Sequence, residues 1–175
     1  TLPADVRAAA GEAMTSVQGA VDQRASADAY EKPAPEYVAA YTKPVNELLE
    51  ALASVTYATN DADMTRDLGA LAALASAKES AGLERAQLTT VFATNSFAPG
   101  QEARVTGLLN QRLAYLSTFV LLGGAEVRAE VDTLNASAPA KEVAALEQKA
   151  LGTQKDFGVD PNAWFSTATS YIDGM

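Results

Sequence analysis

The sequence has no cysteine and no histidine. Without cysteine it can form no disulfide frame, thiolate nucleophile, zinc finger or iron–sulfur cluster. Without histidine it has no Ser-His-Asp triad, no imidazole metal ligand and no phospho-accepting imidazole. Basic residues are scarce: 13 Lys and Arg stand against 22 Asp and Glu, for a formal net charge of −9. A sequence pI near 4.4 argues against a nucleic-acid partner, which would need a basic face. Long hydrophobic runs are missing too. The best, Phe119-Val120-Leu121-Leu122-Gly123-Gly124, falls far short of the ~20 apolar residues of a membrane span. No Gly-rich phosphate loop, GxSxG elbow or metal-binding triad occurs. No catalytic residue, metal ligand or cofactor is therefore assigned, and the chain reads as a non-enzyme.

What is present is helical. About a fifth of the residues are alanine, the best helix former, and no β-branched run alternates with polar residues as a strand would. The 175 residues, 48% of them hydrophobic, are enough to bury a core and read as one domain over 1–175. The pattern predicts a first helix from Pro3 to Ala29, with Val6, Ala10, Ala13, Val17 and Val21 inward. A second follows from Pro35 to Tyr57, kinked or split at Pro44. Asn60-Asp61-Ala62-Asp63 caps a third; Asp61-Ala62-Asp63 resembles a calcium-loop fragment but lacks the following Gly and distal Glu. Nothing firm stops this helix before Phe97-Ala98-Pro99-Gly100, and about 36 residues at 1.5 Å rise span roughly 54 Å. A fourth runs from Gln101 to Leu122 and breaks at Gly123-Gly124. Shorter helices follow over Ala125–Asn135 and Pro139–Leu151, and Asp160-Pro161 opens the last, with Trp164, Phe165 and Ile172 inward. The expectation is an all-α, elongated up-down bundle with one very long central helix. Both ends interrupt helical patterns, so the chain reads as a segment of a longer protein.

One constellation stands out on the third helix. A heptad count puts one seam at Leu71, Lys78, Arg85 and Phe92 and the other at Leu74, Ala81, Leu88 and Asn95. Lys78 and Arg85 then lie two turns apart on the packing face. Gly82 sits between them and leaves room for a close approach by another backbone or a ligand. Two cations facing a gap can clamp a small anion, for which the arginine fork is well shaped. The other reading is structural: Lys78 snorkels its ammonium to water, and Arg85 pairs with Glu47, Glu50 or Asp132. Glu79 and Glu84 read as solvated or paired carboxylates. Tyr30, Tyr37, Tyr41 and Tyr57 read as interhelical packing with a polar tip. Asn135-Ala136-Ser137 matches a glycosylation acceptor pattern that is common by chance.

The stretch Leu71-Ala72-Ala73-Leu74-Ala75-Ser76-Ala77-Lys78-Glu79-Ser80-Ala81-Gly82-Leu83-Glu84-Arg85-Ala86 resembles the second half of the nitrate- and nitrite-sensing domain, where a K-E-x-x-G-x-E-R-A helix precedes a Phe-containing turn and another helix. Phe92, Phe97, Pro99-Gly100 and the Leu108–Phe119 stripe continue the likeness. Leu2-Pro3-Ala4-Asp5-Val6-Arg7 and Val159-Asp160-Pro161-Asn162-Ala163-Trp164-Phe165 look like the versions in actinobacterial sensor histidine kinases. The resemblance implies an all-helical sensor outside the cell, tethered between two transmembrane helices and feeding a cytoplasmic kinase of a two-component system. It also implies nitrate, nitrite or another small anion as ligand. One of the family's two anion-binding arginines maps onto Arg85. The other belongs to an E-R-G motif that this sequence does not contain, and neither Arg7 nor Arg24 has that context. A homodimer is expected. The alternative function is a helical dimerisation or protein-interaction module with no small-molecule ligand.

Overall fold

In the computed structural model the described residues are 3–175, apart from the side chains at 34 and 35. Thr1 and Leu2, the latter the first residue of the family likeness, lie outside them. The described residues form seven helices, in order α1 (Ala4–Asp22), α2 (Arg24–Asp28), α3 (Ala34–Thr56), α4 (Ala62–Thr94), α5 (Gln101–Ala136), α6 (Ala138–Leu151) and α7 (Pro161–Gly174). Among the described residues the only β-pairing is a single bridge between Ser96 and Lys155. The all-α reading holds. The chain divides into two compact units, Thr1–Ala72 and Ala73–Met175.

In the first unit α1 packs on α3. Its buried seam is Val6, Ala13 and Ala20, a seven-residue repeat of mostly small residues that lets helices come close. Ala10 and Val21 fall outside that seam and are exposed. The predicted single helix to Ala29 is two. The Gln23 N–H bonds Ala20 O, three residues back, at 3.2 Å, and this tightened turn separates α1 from α2. α3 runs unbroken through the buried Pro44, so the split expected there does not occur. Tyr37 is the one tyrosine of its group that packs with a satisfied tip. Its hydroxyl donates to Ser26 O at 2.7 Å and accepts from the Lys32 N–H at 3.0 Å, tying the α2–α3 turn to α3. Tyr30 and Tyr57 are each 89% exposed. Both lie in turns just past helix ends, off any packing stripe.

The second unit holds the larger core. Leu88, Val91 and Phe92 of α4 meet Val105 of α5, Val143 and Ala150 of α6, and Trp164, Ala168 and Tyr171 of α7, with Phe157 from the α6–α7 connection. Phe92 contacts Phe157 and Trp164 edge-on at 5.7 and 5.6 Å, and Phe97 meets Phe157 at 5.6 Å. These are favourable ring geometries. The turn after α4 is tied to that same connection. Asn95, in the left-handed region at φ 54°, accepts the Phe157 N–H on Oδ1 at 2.8 Å and donates from Nδ2 to Asp156. Asp160 caps α7 and Ser137 caps α6 through their side chains, so the serine of the Asn135-Ala136-Ser137 triplet is committed to capping.

α4 is 33 residues, about 50 Å of helix. α5 spans 36 residues but is broken at Gly124, with φ 74° and ψ −151°, where the sequence predicts an interruption. A side chain there would be strained by about 1–3 kcal/mol, although nothing crowds the position. Gly124→Ala is expected to lower unfolding stability by that amount in urea titrations. No loss would show that the break relaxes into continuous helix.

Candidate functional site

α4 presents its residues in a register one step from the heptad reading. The buried stripe is Ala73, Ala77, Ala81, Glu84, Leu88 and Val91, at four- and three-residue steps. Ala81 and Leu88 are where the count puts them. The other seam carries Glu84 in place of Arg85. Lys78 and Arg85 are half-buried at its edge, and Leu71 is exposed. Small alanines let the helix rotate by this step at little steric cost.

Arg85 is held by α7. Its Nη1 donates to Thr169 Oγ1 at 2.7 Å, and its guanidinium lies 4.5 Å over the Phe165 ring. Its own carbonyl accepts the Trp164 indole N–H at 2.9 Å. Asp132, the candidate partner in the same unit, does not pair with it among the described residues; a hydroxyl and a ring take its place. The Arg85 Nε is buried and has no hydrogen-bond partner. Lys78 forms no ion pair among the described residues. A Cβ placed on Gly82 would meet nothing within 4 Å. The close approach inferred from this glycine is therefore not made by the described residues of its own unit, because Gly82 lies off the buried stripe.

The stripe brings together a group that the sequence reading does not assemble. Glu84 (α4), Arg112 (α5) and Glu147 (α6) are only 2%, 4% and 6% exposed. Arg112 Nη2 donates to Glu147 Oε1 at 2.8 Å. Arg112 Nε lies 3.2 Å from Glu84 Oε2, but out of line, so it counts as a charge contact and Nε remains without a hydrogen bond. The Tyr171 ring of α7 faces the guanidinium at 5.2 Å.

Two carboxyls around one guanidinium would leave an uncompensated negative charge in the core. Glu84 absorbs it by keeping its proton. Burial pushes its carboxyl up to about 8; the nearby Glu147 carboxylate adds to the shift, and Arg112 opposes it. Burial works against the charge on Arg112, but the two carboxyls together raise its pKa, so it stays protonated. Burial also raises the Tyr171 phenol. Glu79, half-buried, is raised by burial alone.

The wall formed by Arg112, Glu147 and Tyr171 is the floor of a cleft of about 700 Å³ between α5, α6 and α7. Two charged members of the cluster were legible as polar residues on apolar stripes. Arg112 stands between Val105 and Leu116, and Glu147 between Val143 and Ala150. Among the described residues no group of acidic side chains is arranged to hold a metal ion, and no helix is long and apolar enough to cross a membrane.

A family model described as nitrate and nitrite sensing matches residues 1–175, the whole chain. No curated protein and no solved structure matches it.

A protonated Glu84 makes stability depend on pH with a definite sign. Its pKa is about 8 when folded against 4.5 when free. The stability that its proton contributes is complete below pH 4.5, declines as pH rises towards 8, and is then flat. The decline is up to about 1 kcal/mol per pH unit. Urea midpoints of the wild type minus those of Glu84→Gln, taken from pH 4.5 to 9, should fall across that window. A rising difference would mean that Glu84 is ionised in the folded protein.

Proposed function

The chain belongs to the nitrate and nitrite sensing family, and on that premise we propose that residues 1–175 act as one ligand-sensing domain, outside the cell, of a membrane-bound sensor kinase. The match over the full length of the chain carries this reading. The role is recognition and transmission: a ligand that binds one helix arrangement better than another shifts the balance between them.

Arg85 is the residue proposed to meet the anion. It is the arginine of the Glu84-Arg85 pair within Lys78-Glu79-Ser80-Ala81-Gly82-Leu83-Glu84-Arg85-Ala86. Phe165 and Thr169 hold its guanidinium in one orientation, and its buried Nε still lacks an acceptor. A planar oxyanion supplies two acceptors in the spacing that a guanidinium edge presents. Lys78, one and a half to two turns along the same helix, would add positive charge. No E-R-G motif provides a second arginine in this sequence, so the companion donor proposed within it is Lys78.

A thermal-melt series at constant ionic strength tests the reading, with nitrate, nitrite, sulfate and chloride as probes. A ligand that binds only the folded state adds about 2.7 kcal/mol at a hundred times its Kd. The expected result is a rise in Tm with nitrate or nitrite but not chloride, absent in Arg85→Ala when each variant is read against its own anion-free baseline. Equal responses to all anions, or a nitrate response that survives Arg85→Ala, would overturn the assignment of Arg85.

A further inference from the structure

The cleft of about 700 Å³ between α5, α6 and α7 is far larger than an inorganic oxyanion needs and falls in the range of sites for small organic ligands. Leu109, Leu113, Val143 and Leu151 supply apolar wall. Its floor is polar and buried: the Arg112 guanidinium, the Glu147 carboxyl and the Tyr171 phenol. Lys141, exposed on the first turns of α6, also lines it. The charged lining is thus two cations and one carboxyl, locally positive in a chain whose formal net charge is −9. Arg112 spends one hydrogen bond on Glu147, and its buried Nε has none.

We propose that this cleft is a second ligand site, separate from Arg85, that takes a small amphipathic organic anion: a carboxylate head against Arg112, Tyr171 and Lys141, and an aliphatic or aromatic body along the apolar walls. The apolar area gives affinity to the body. The head is selected because the lining carries one positive charge in excess, with Arg112 buried at the floor.

Glu84 makes this site sensitive to pH. It lies behind Arg112, and the groups facing it are Arg112 from α5, Glu147 from α6 and Tyr171 from α7. While Glu84 is neutral, Arg112 has one anionic neighbour and can accept a second. Once Glu84 ionises, the cluster already holds two, and an incoming carboxylate is opposed. The burial that raises Glu84 to about 8 sets this change within the ordinary pH range. Affinity should therefore be full below that value and fall above it.

The test is isothermal titration of this chain with hexanoate and benzoate, which stay ionised throughout, alongside hexanol, benzyl alcohol, hexylammonium and nitrate. Both carboxylates are expected to bind at pH 7 at least tenfold more tightly than the alcohols or the ammonium, and about tenfold more weakly at pH 9. Ala144→Trp, a change at an exposed lining position, should block part of the cleft and weaken binding at least tenfold without touching the core. Lys141→Ala should weaken it several-fold. Glu84→Gln should keep the affinity at pH 7 and lose the decline at pH 9. Carboxylate binding should persist in Arg85→Ala, so failure here and failure of the Arg85 assignment are distinguishable. The proposal is overturned if neither carboxylate binds, if alcohols bind as well as acids, or if Ala144→Trp leaves binding unchanged.

Discussion

A guanidinium in a protein core must be neutralised and hydrogen-bonded, or it costs several kcal/mol. Arg112 meets that demand through side chains from two other helices, Glu84 and Glu147, and leans on the ring of Tyr171 from a third. The four helical segments of the second unit are thus bound to one charge. Their apolar surfaces would not fix their alignment so closely. α4 packs through Ala73, Ala77 and Ala81, and a stripe of alanines barely distinguishes one axial register from the next. An arginine that must sit between two carboxyls does distinguish them. Such a cluster adds little to net stability compared with a well-packed apolar replacement, and losing one partner of a buried pair costs about 3–5 kcal/mol. Its contribution lies in selecting one arrangement.

The arithmetic of the cluster has a chemical consequence. One positive group faces two carboxyls in a space that excludes water, so a third species must complete the balance. Within the chain that species is the proton on Glu84. The proton is held by burial more than by any single neighbour, which places the site's titration where solution conditions commonly vary. The same solution leaves Arg112 with donor capacity to spare, since a neutral carboxyl lying out of line with Nε satisfies it poorly.

Much of this architecture can be read from residue patterns. The helix positions follow from capping signals and glycine–proline punctuation: Asp160-Pro161 opens α7, Gly123-Gly124 breaks α5, and Pro99-Gly100 closes the turn after α4. These signals act locally, through backbone geometry, and need no tertiary knowledge. The register of α4 was less legible. A helix rich in alanine shows almost the same hydrophobicity on neighbouring faces, so a count anchored on Leu71 and Phe92 and one anchored on Ala77 and Val91 differ by a single residue. Only the partner helices decide between them. That one step exchanges Glu84 for Arg85 on the buried face. Two clues in the partners pointed to the answer: Arg112 at seven residues from Val105, and Glu147 four residues after Val143, both on otherwise apolar stripes. Taken together with Glu84, they form a set of opposite charges whose stripes must meet. The capture of Arg85 by Thr169 and Phe165 had no such signal, because it depends on how α7 lies along α4.

Glu84 and Arg85 are adjacent, so they leave the helix about 100° apart and meet different surroundings. Both nevertheless end on α7. Glu84 reaches Tyr171 through Arg112. Arg85 touches Phe165 and Thr169 directly, while its carbonyl holds the indole of Trp164. Any ligand that draws Arg85 away from Thr169, or any change in charge around Arg112, therefore alters what holds the same 14-residue helix. Coupling between two sites requires a shared element whose position each can bias. α7 is such an element. Its contacts with α4 include one hydroxyl, one stacked ring, one indole N–H and the aromatic core around Phe92. Ligands of the two proposed sites cannot be thermodynamically independent unless α7 keeps one position whichever site is filled.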